Sequence, residues 1–437
     1  MDLVAHLERV LRQYQTNPPA EELRLTGWRF SLNDLTNVKV GIRDNKLAEV
    51  YAAPTVNANY TGDLLLVWAG DRCSHAVLNA AIITALEDNL PEWERAAFHD
   101  TAGSVILSPQ PMPLVAVEHH AAREIVKNSA RPLFELLAQY QREMPHWGVS
   151  SLQAGAQASW GLRHIRTSQG LAVTYGQTTF STYVAADGLF SKSFVKRRPP
   201  TVAEIAELIE TTGKMTQLLK NQAELRPGQL PIIFAPSVVE ELISKYLVGN
   251  LSGNNVVNNL SAYDLADFRQ CKQVFAPTIA VVINPLDSYE LSSYLCTREG
   301  VPARAQYLVE AGKLLTPYLT VKDSIKAEMR PTPLPQGSGM RLETGTAANL
   351  ADLISDMDEG ILVTSVLGLH TQDSSSGNYS LAAPQSLKIE NGKLKGRVKA
   401  VIGGNFLQHL ADPCTRYAGS KGENAPAMQV AAHVVKG

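Results

Sequence analysis

Apolar positions along this chain switch between two spacings, and the switches draw its elements. Near the start, Leu3, Val4, Leu7, Val10, Leu11 and Tyr14 recur every three or four residues, which predicts an amphipathic helix. The spacing then shortens. VKVGIRD (38–44) and GDLLLVWAGD (62–71), set between Asn, Gly and Asp turns, predict strands. Helical spacing predicts a helix over 75–86 and a second helical region over 114–142, divided at Pro132 because an interior proline breaks a helix. GLAVTYG (170–176), TFSTYVAAD (179–187) and SKSFVKR (191–197) predict three further strands. Thr201, after Pro199 and Pro200, reads as a helix N-cap, with Val202, Ile205, Leu208, Ile209, Met215, Leu218 and Leu219 as the buried stripe.

The turn-rich stretch AELRPG (223–228) divides the chain. The prediction is an α+β protein of two domains, a mixed α/β domain over 1–223 and a strand-rich domain over 229–437. The second opens with a buried strand, LPIIFA (230–235), and a helix from Pro236 to about Leu247. Residues 249–259, rich in Asn and Gly, predict a loop, and IAVVINP (279–285) another strand. VEAGKL (309–314) echoes IENGKL (389–394), whose Asn391-Gly392 is a strong hairpin turn. The echo predicts a hairpin at the earlier copy, although apolar spacing alone would give a helix over 303–319. PTPLPQGSG (331–339) reads as an extended or mobile loop. A helix over 348–357 and a strand over 361–366 then deliver GLHTQDSSSGNYSLAAPQSLKIENGKLKGRVKAVIGGN (368–405), a polar turn, a hairpin and a closing Gly-Gly-Asn.

Composition narrows the class. The chain has 437 residues, 45% hydrophobic, 19% charged and 7% aromatic, and suits a multidomain globular protein. A net charge of −2 gives no reason to expect direct nucleic-acid binding, which needs a basic face. The one basic cluster, Lys196-Arg197-Arg198, reads as a solvated strand end. No apolar run reaches the roughly 18 residues that cross a bilayer. Asp2 and Glu8 lie where a signal peptide would be basic and then apolar. The expectation is a cytoplasmic protein with no membrane partner. Its four scattered cysteines (Cys73, Cys271, Cys296, Cys414) are then free thiols.

Candidate chemistry is sparse. A zinc-protease helix needs two imidazoles one turn apart with a carboxylate beside them. None of the ten histidines is followed by Glu, and no two are three to five residues apart. His120 and Glu124 share a helix face, which reads as exposed and polar. There is no Gly-x-Ser-x-Gly elbow, Walker loop or dinucleotide fingerprint. Within the 368–405 block, His370 and Asp373 are the candidates for acid/base work. Against that stands the reading that Asp373 and Ser374 to Ser376 only shape the turn. Gly368, His370, Ser376, Gly377 and Asn378 are the candidate substrate-binding residues.

The same block resembles the C-terminal region of the TldD/PmbA family, whose PmbA members are also called TldE. The resemblance rests on Asp356 to Gly360, the strand that follows, the His370 to Ser380 turn, the Ile389 to Gly392 hairpin and Gly404-Asn405. LPIIFAPSVVEELISKYLVGNLSGNN and Glu299-Gly300-Val301-Pro302 also fit, as does the strand pair from Gly170 to Tyr183. The family implies a two-domain TldD/PmbA-like architecture. It also implies a zinc peptidase in TldD-type chains, which carry His-Glu-x-x-x-His on the helix of the second domain. Here that helix reads VVEELISKY (238–246) and has no histidine. A C-terminal cysteine ligand does not carry over with Cys414, which follows Gly404-Asn405 too soon. The tail beyond Asn405 departs from the family.

The resemblance implies a PmbA-like subunit with no metal of its own. It would pair with a TldD-like metallopeptidase subunit carrying zinc and enclose an unfolded peptide substrate. Two alternatives stay open at this point: a divergent hydrolase using His370 and Asp373 or Cys414, and a homodimeric peptide-binding scaffold.

Overall fold

Alternation along one long strand builds the N-terminal half. In β1 (Leu25–Arg43), Trp28, Phe30, Leu32, Val38, Val40 and Ile42 are buried, while Arg29, Ser31, Asn33 and Lys39 lie on the other face. The computed structural model describes residues 2–43, 46–51, 59–336, 339–419 and 425–437. Around β1 lie β2 (Lys46–Tyr51), β3 (Asn59–Trp68), β4 (Arg72–Leu78), β5 (Phe98–His99), β6 (Leu152–Thr167), β7 (Ala172–Ala186) and β8 (Phe190–Lys196). They form one antiparallel sheet in the order β5-β4-β3-β1-β6-β7-β8, with β2 on β1. Helix Leu3–Thr16 covers one end of its apolar face through Leu7, Val10 and Leu11. Helix Arg131–Glu143 covers the other end through Leu133, Leu137 and Tyr140.

The second half starts at β9 (Gly228–Phe234). A small antiparallel sheet follows: β10 (Ala280–Ile283), β11 (Gln306–Glu310), β12 (Lys313–Leu314) and β13 (Met340–Glu343). Then come β14 (Glu359–Val363), β15 (Asn378–Glu390), β16 (Lys393–Asn405), β17 (Arg416–Ala418) and β18 (Ala427–Lys436). β9 joins this last sheet between β14, to which it is parallel, and β18. Because β16 also pairs with β18, strands β9, β14, β15, β16 and β18 close into a ring. Ile232, Phe234, Ile361 and Val363 face the main core on one side of these strands. Ile233 and Leu362 face the other way, toward Leu219 and Leu353.

Several predicted elements change. Residues 72–78 are strand, not the start of a helix; the helix begins at Ala80, where the Asn79 side chain accepts the Ile82 N–H. The stretch 114–142 holds two helices, His120–Lys127 and Arg131–Glu143, so the break precedes Pro132, which sits in the first turn of the second. The strands predicted at 170–176 and 179–187 are one strand, β7. Thr201 caps helix Val202–Lys220 in a capping box with Glu204, but Val202 is 82% exposed. The buried stripe starts at Leu208 and includes Thr212, Gly213 and Thr216. The predicted loop at 249–259 contains a short helix, Gly253–Val257. The echo at 309–314 is a hairpin, with Ala311 (φ 47°) and Gly312 (φ 73°) both left-handed as a tight two-residue turn requires. Residues 331–336 carry no regular structure, and 337–338 lie outside the described residues. No helix among the described residues is long and apolar enough to cross a membrane.

The basic cluster is the largest correction. Lys196, Arg197 and Arg198 are not a solvated strand end. Arg197 is buried and donates to the carbonyls of Thr178, Leu291 and Ser293 and to Ser293 Oγ. Lys196 pairs with Glu290 at 2.6 Å, and Arg198 with Glu204 at 2.7 Å. A second buried contact lies nearby. Arg29 Nη2 donates to Glu299 at 2.8 Å, and the other Glu299 oxygen accepts the Val321 N–H at 2.8 Å. The two side chains are 12% and 4% exposed. Together these contacts hold the polar face of the N-terminal sheet against the 289–322 stretch.

Arg29→Met should therefore lower the unfolding free energy by about 3–5 kcal/mol, because Glu299 would stay buried without its cation. Arg24→Met, which breaks the exposed pair with Glu21, should leave stability unchanged. Urea denaturation of both variants checks the contrast.

Candidate functional site

Pro236 presets the first helical turn after β9, and the chain continues through Leu242 into a π-turn at Ile243–Leu247 and a last turn at Val248–Asn250. Val238, Val239, Leu242, Ile243, Tyr246 and Leu247 are buried in the main core. That leaves Glu241, Ser244 and Lys245 facing a cleft of about 520 Å³, whose opposite wall is Val366 to His370. Leu367 is 61% exposed there. Glu241 is exposed, yet partial desolvation by the cleft raises its carboxyl from the usual range. Lys245 Nζ spans the cleft's end and donates to the His370 carbonyl at 3.2 Å.

The turn beyond the cleft is tied to the same helix. Tyr246 OH donates to the Asn378 carbonyl at 2.7 Å, and Asn250 Nδ2 donates to the Ser374 carbonyl at 2.7 Å. Gly249 lies against Ser374, where a Cβ would sit 3.3 Å from the serine Cβ.

The structure places the predicted residues in two groups. Gly368 and His370 line the cleft. Asp373, Ser376, Gly377 and Asn378 lie within the wiring of the turn. Asp373 Oδ1 accepts the Ser375 N–H and hydroxyl, which hold its carboxyl below the usual range. Ser376 Oγ accepts the Asn378 N–H. Gly377 takes φ 73° and its carbonyl accepts the Phe406 N–H. Asn405 Nδ2 donates to the Ser376 carbonyl and to Asn378 Oδ1, while its own Oδ1 caps helix Phe406–Ala411. No hydrogen bond joins the His370 ring to Asp373 among the described residues. Cys414 is exposed on the turn after that helix.

Sequence reasoning missed a buried polar pair beneath this turn. Tyr379 OH lies 2.8 Å from His409 Nε2. Burial holds the His409 imidazole down at about 4, so the ring is neutral at pH 7. A Cβ on Gly404 would run into the Tyr379 hydroxyl and His409 Nε2, which accounts for the glycine before Asn405. No local pattern joins residues 30 positions apart. The Glu241, Ser244, Lys245 face was readable, since those residues share a helix side at spacings of three and four.

Zinc does not fit the cleft. Its helix offers one carboxylate, a hydroxyl and an ammonium, and an ammonium repels a cation. Among the described residues, no three His, Cys, Asp or Glu side chains are grouped to hold a metal.

Residues 227–416 match the model of the PmbA/TldA metallopeptidase C-terminal domain. A metalloprotease PmbA homolog of Buchnera aphidicola is 26% identical over 247 residues, 55% of this chain. The chain spans about half the length of that relative, 54%. The fold is that of the crystal structure of TldE from Thermococcus kodakarensis, at TM-score 0.79 and 16% identity over 100% of both chains. It is equally close to a candidate modulator of a DNA gyrase from Thermotoga maritima, at TM-score 0.79 and 18% identity over 99% of this chain and 100% of that one.

Two outcomes are expected from this geometry. Gly404→Ala should displace the Tyr379–His409 pair and cost about 1–3 kcal/mol of stability in chemical denaturation. The His409 ring has a folded value below its unfolded 6.5, so its neutral form is favoured by folding. Its contribution is whole above pH 6.5 and is lost as pH falls toward about 4. The unfolding free energy of His409→Gln should accordingly fall less steeply than that of the unaltered protein across this window.

Proposed function

Because the chain belongs to the TldD/PmbA family, we propose that it serves as the PmbA/TldE-like, non-catalytic subunit of a TldD-type zinc metallopeptidase. One observation carries the reading. The helix that would bear His-Glu-x-x-x-His in a zinc-binding member presents Glu241, Ser244 and Lys245 to the cleft instead. The metal and the bond cleavage then belong to a TldD-like partner, and the substrate is an unfolded peptide.

The cleft suits an extended chain. Strand β9 ends at Phe234, so residues 364–368 beyond β14 have a strand neighbour on one side only, through the Leu367–Ala382 bridge. Their other side faces the helix across the cleft. A peptide laid there would gain main-chain hydrogen bonds by strand addition, with Leu367 offering apolar contact.

The test is co-expression with a TldD-type chain. A stable complex should form, with one zinc per heterodimer, and peptide hydrolysis should need both chains and be lost on chelation. The reading is sunk if the protein alone binds stoichiometric zinc and cleaves peptides.

A further inference from the structure

A cavity of about 180 Å³ lies between the polar face of the N-terminal sheet and the 298–322 stretch. Strand β3 contributes Asp63 and β4 contributes His75; the other wall contributes Arg298, Glu299 and Lys322. Two of the charges at this seam are already matched. Glu299 is held by Arg29, and Lys322 by Asp100 at 2.6 Å. Among the charged side chains that line the cavity, Asp63 and Arg298 are left over. Neither side chain forms a hydrogen bond or an ion pair among the described residues, although the field of Arg298 is the strongest of the nearby cations on the Asp63 carboxyl. Burial raises that carboxyl; partial desolvation and the nearby Arg29 and Lys322 lower the imidazole of His75, which is otherwise exposed.

Opposite charges thus share a small cavity without touching. A simple anion entering it would meet Asp63, and a simple cation would meet Arg298. A neutral molecule would leave the part-buried Asp63 without a counter-charge, while Arg298 stays exposed to solvent at the rim. A molecule that carries both signs satisfies both walls. We propose that this cavity is a binding site for a small zwitterion, the α-ammonium and α-carboxylate of a free amino acid or of a very short peptide. The ammonium faces Asp63 on the sheet side, and the carboxylate faces Arg298 at the mouth. Occupancy bridges the two halves of the chain, so the ligand stabilises the folded state by mass action. The site shares no lining residue with the cleft between Lys245 and Val366 to His370 and does not depend on the role assigned to that cleft.

Calorimetry and thermal unfolding of the full chain test the proposal, with L-alanine, L-alanyl-L-alanine, tetra-alanine, N-acetyl-L-alanine and L-alanine amide as probes. Saturable binding of alanine or dialanine with a rise in Tm is expected, and whichever binds more tightly identifies the source. Each singly blocked analogue should bind about tenfold more weakly or worse, since it leaves one charge unpaired. Asp63→Asn and Arg298→Gln should each weaken the zwitterion to a similar degree. The proposal is overturned if no zwitterion binds, if the blocked analogues bind as well as their parents, or if tetra-alanine alone binds. Should Asp63→Asn not fold, the blocked analogues on the unaltered protein decide the matter.

Discussion

A guanidinium taken out of water needs an acceptor for each N–H it keeps, and Arg197 finds its acceptors on both sides of the molecule's main seam. Thr178 belongs to the N-terminal sheet; Leu291 and Ser293 belong to chain a hundred residues further on. Burial lowers the group only to about 10, so it stays charged at neutral pH and the demand for acceptors persists. Its backbone adds to the grip: the Arg197 N–H donates to the Tyr289 carbonyl, and the Tyr289 N–H donates to Ala116. The 289–293 segment is therefore fixed on the sheet from several directions. The turn at 297–301 follows directly, closed by Thr297 and Val301 and by a left-handed Gly300 against Leu171. Where Glu299 meets Arg29, and where Arg298 stands relative to Asp63, both inherit that placement. A buried charge is weak evidence of net stability, but it strongly penalises alternative docking, because any shift leaves it unpaired.

The 368–405 block is a different kind of constraint. Most of its polar residues answer to one another. Asp373 binds Ser375, Ser376 binds Asn378, and Asn405 binds both Ser376 and Asn378 while capping the next helix. Such a network is costly to leave half-made. The polar residues from Asp373 to Asn405 thus pin a turn to two long strands and a helix. The block's first three residues, Gly368, Leu369 and His370, also face the cleft.

This division explains what was legible in the chain. Elements with local signals were readable: the Thr201 cap, the Asn391-Gly392 hairpin and its echo at 311–312, and the helix opened by Pro236. The mixed α+β class followed from where the apolar spacing changed. What could not be read was set by partners far away. Over 75–78 helical spacing lost to strand pairing, because β3, held by β1 along one edge, offers its other edge to this segment. The basic triplet looked like surface because Leu291 and Ser293, which accept from Arg197, lie 94 and 96 positions downstream. Tyr379 and His409 show the same limit, since a buried donor–acceptor pair carries no pattern of its own.

The cleft itself needs no special chemistry to form. β9 and β14 run parallel and end together, and their continuations part company at Ala235 and Thr364. One enters a helix at Pro236; the other runs on beside β15. Parallel neighbours that diverge at their carboxyl ends leave an opening there, which is why ligands gather at such points in α/β sheets. The fold thus supplies a place, and the helix that forms one wall decides what the place can do. A pair of imidazoles on that wall would make it a metal site. Lys245 instead brings its own positive charge and spends one of its three donors on the His370 carbonyl. With an ammonium fixed at that end, the electrostatics favour holding carbonyl and carboxylate oxygens over admitting a divalent ion.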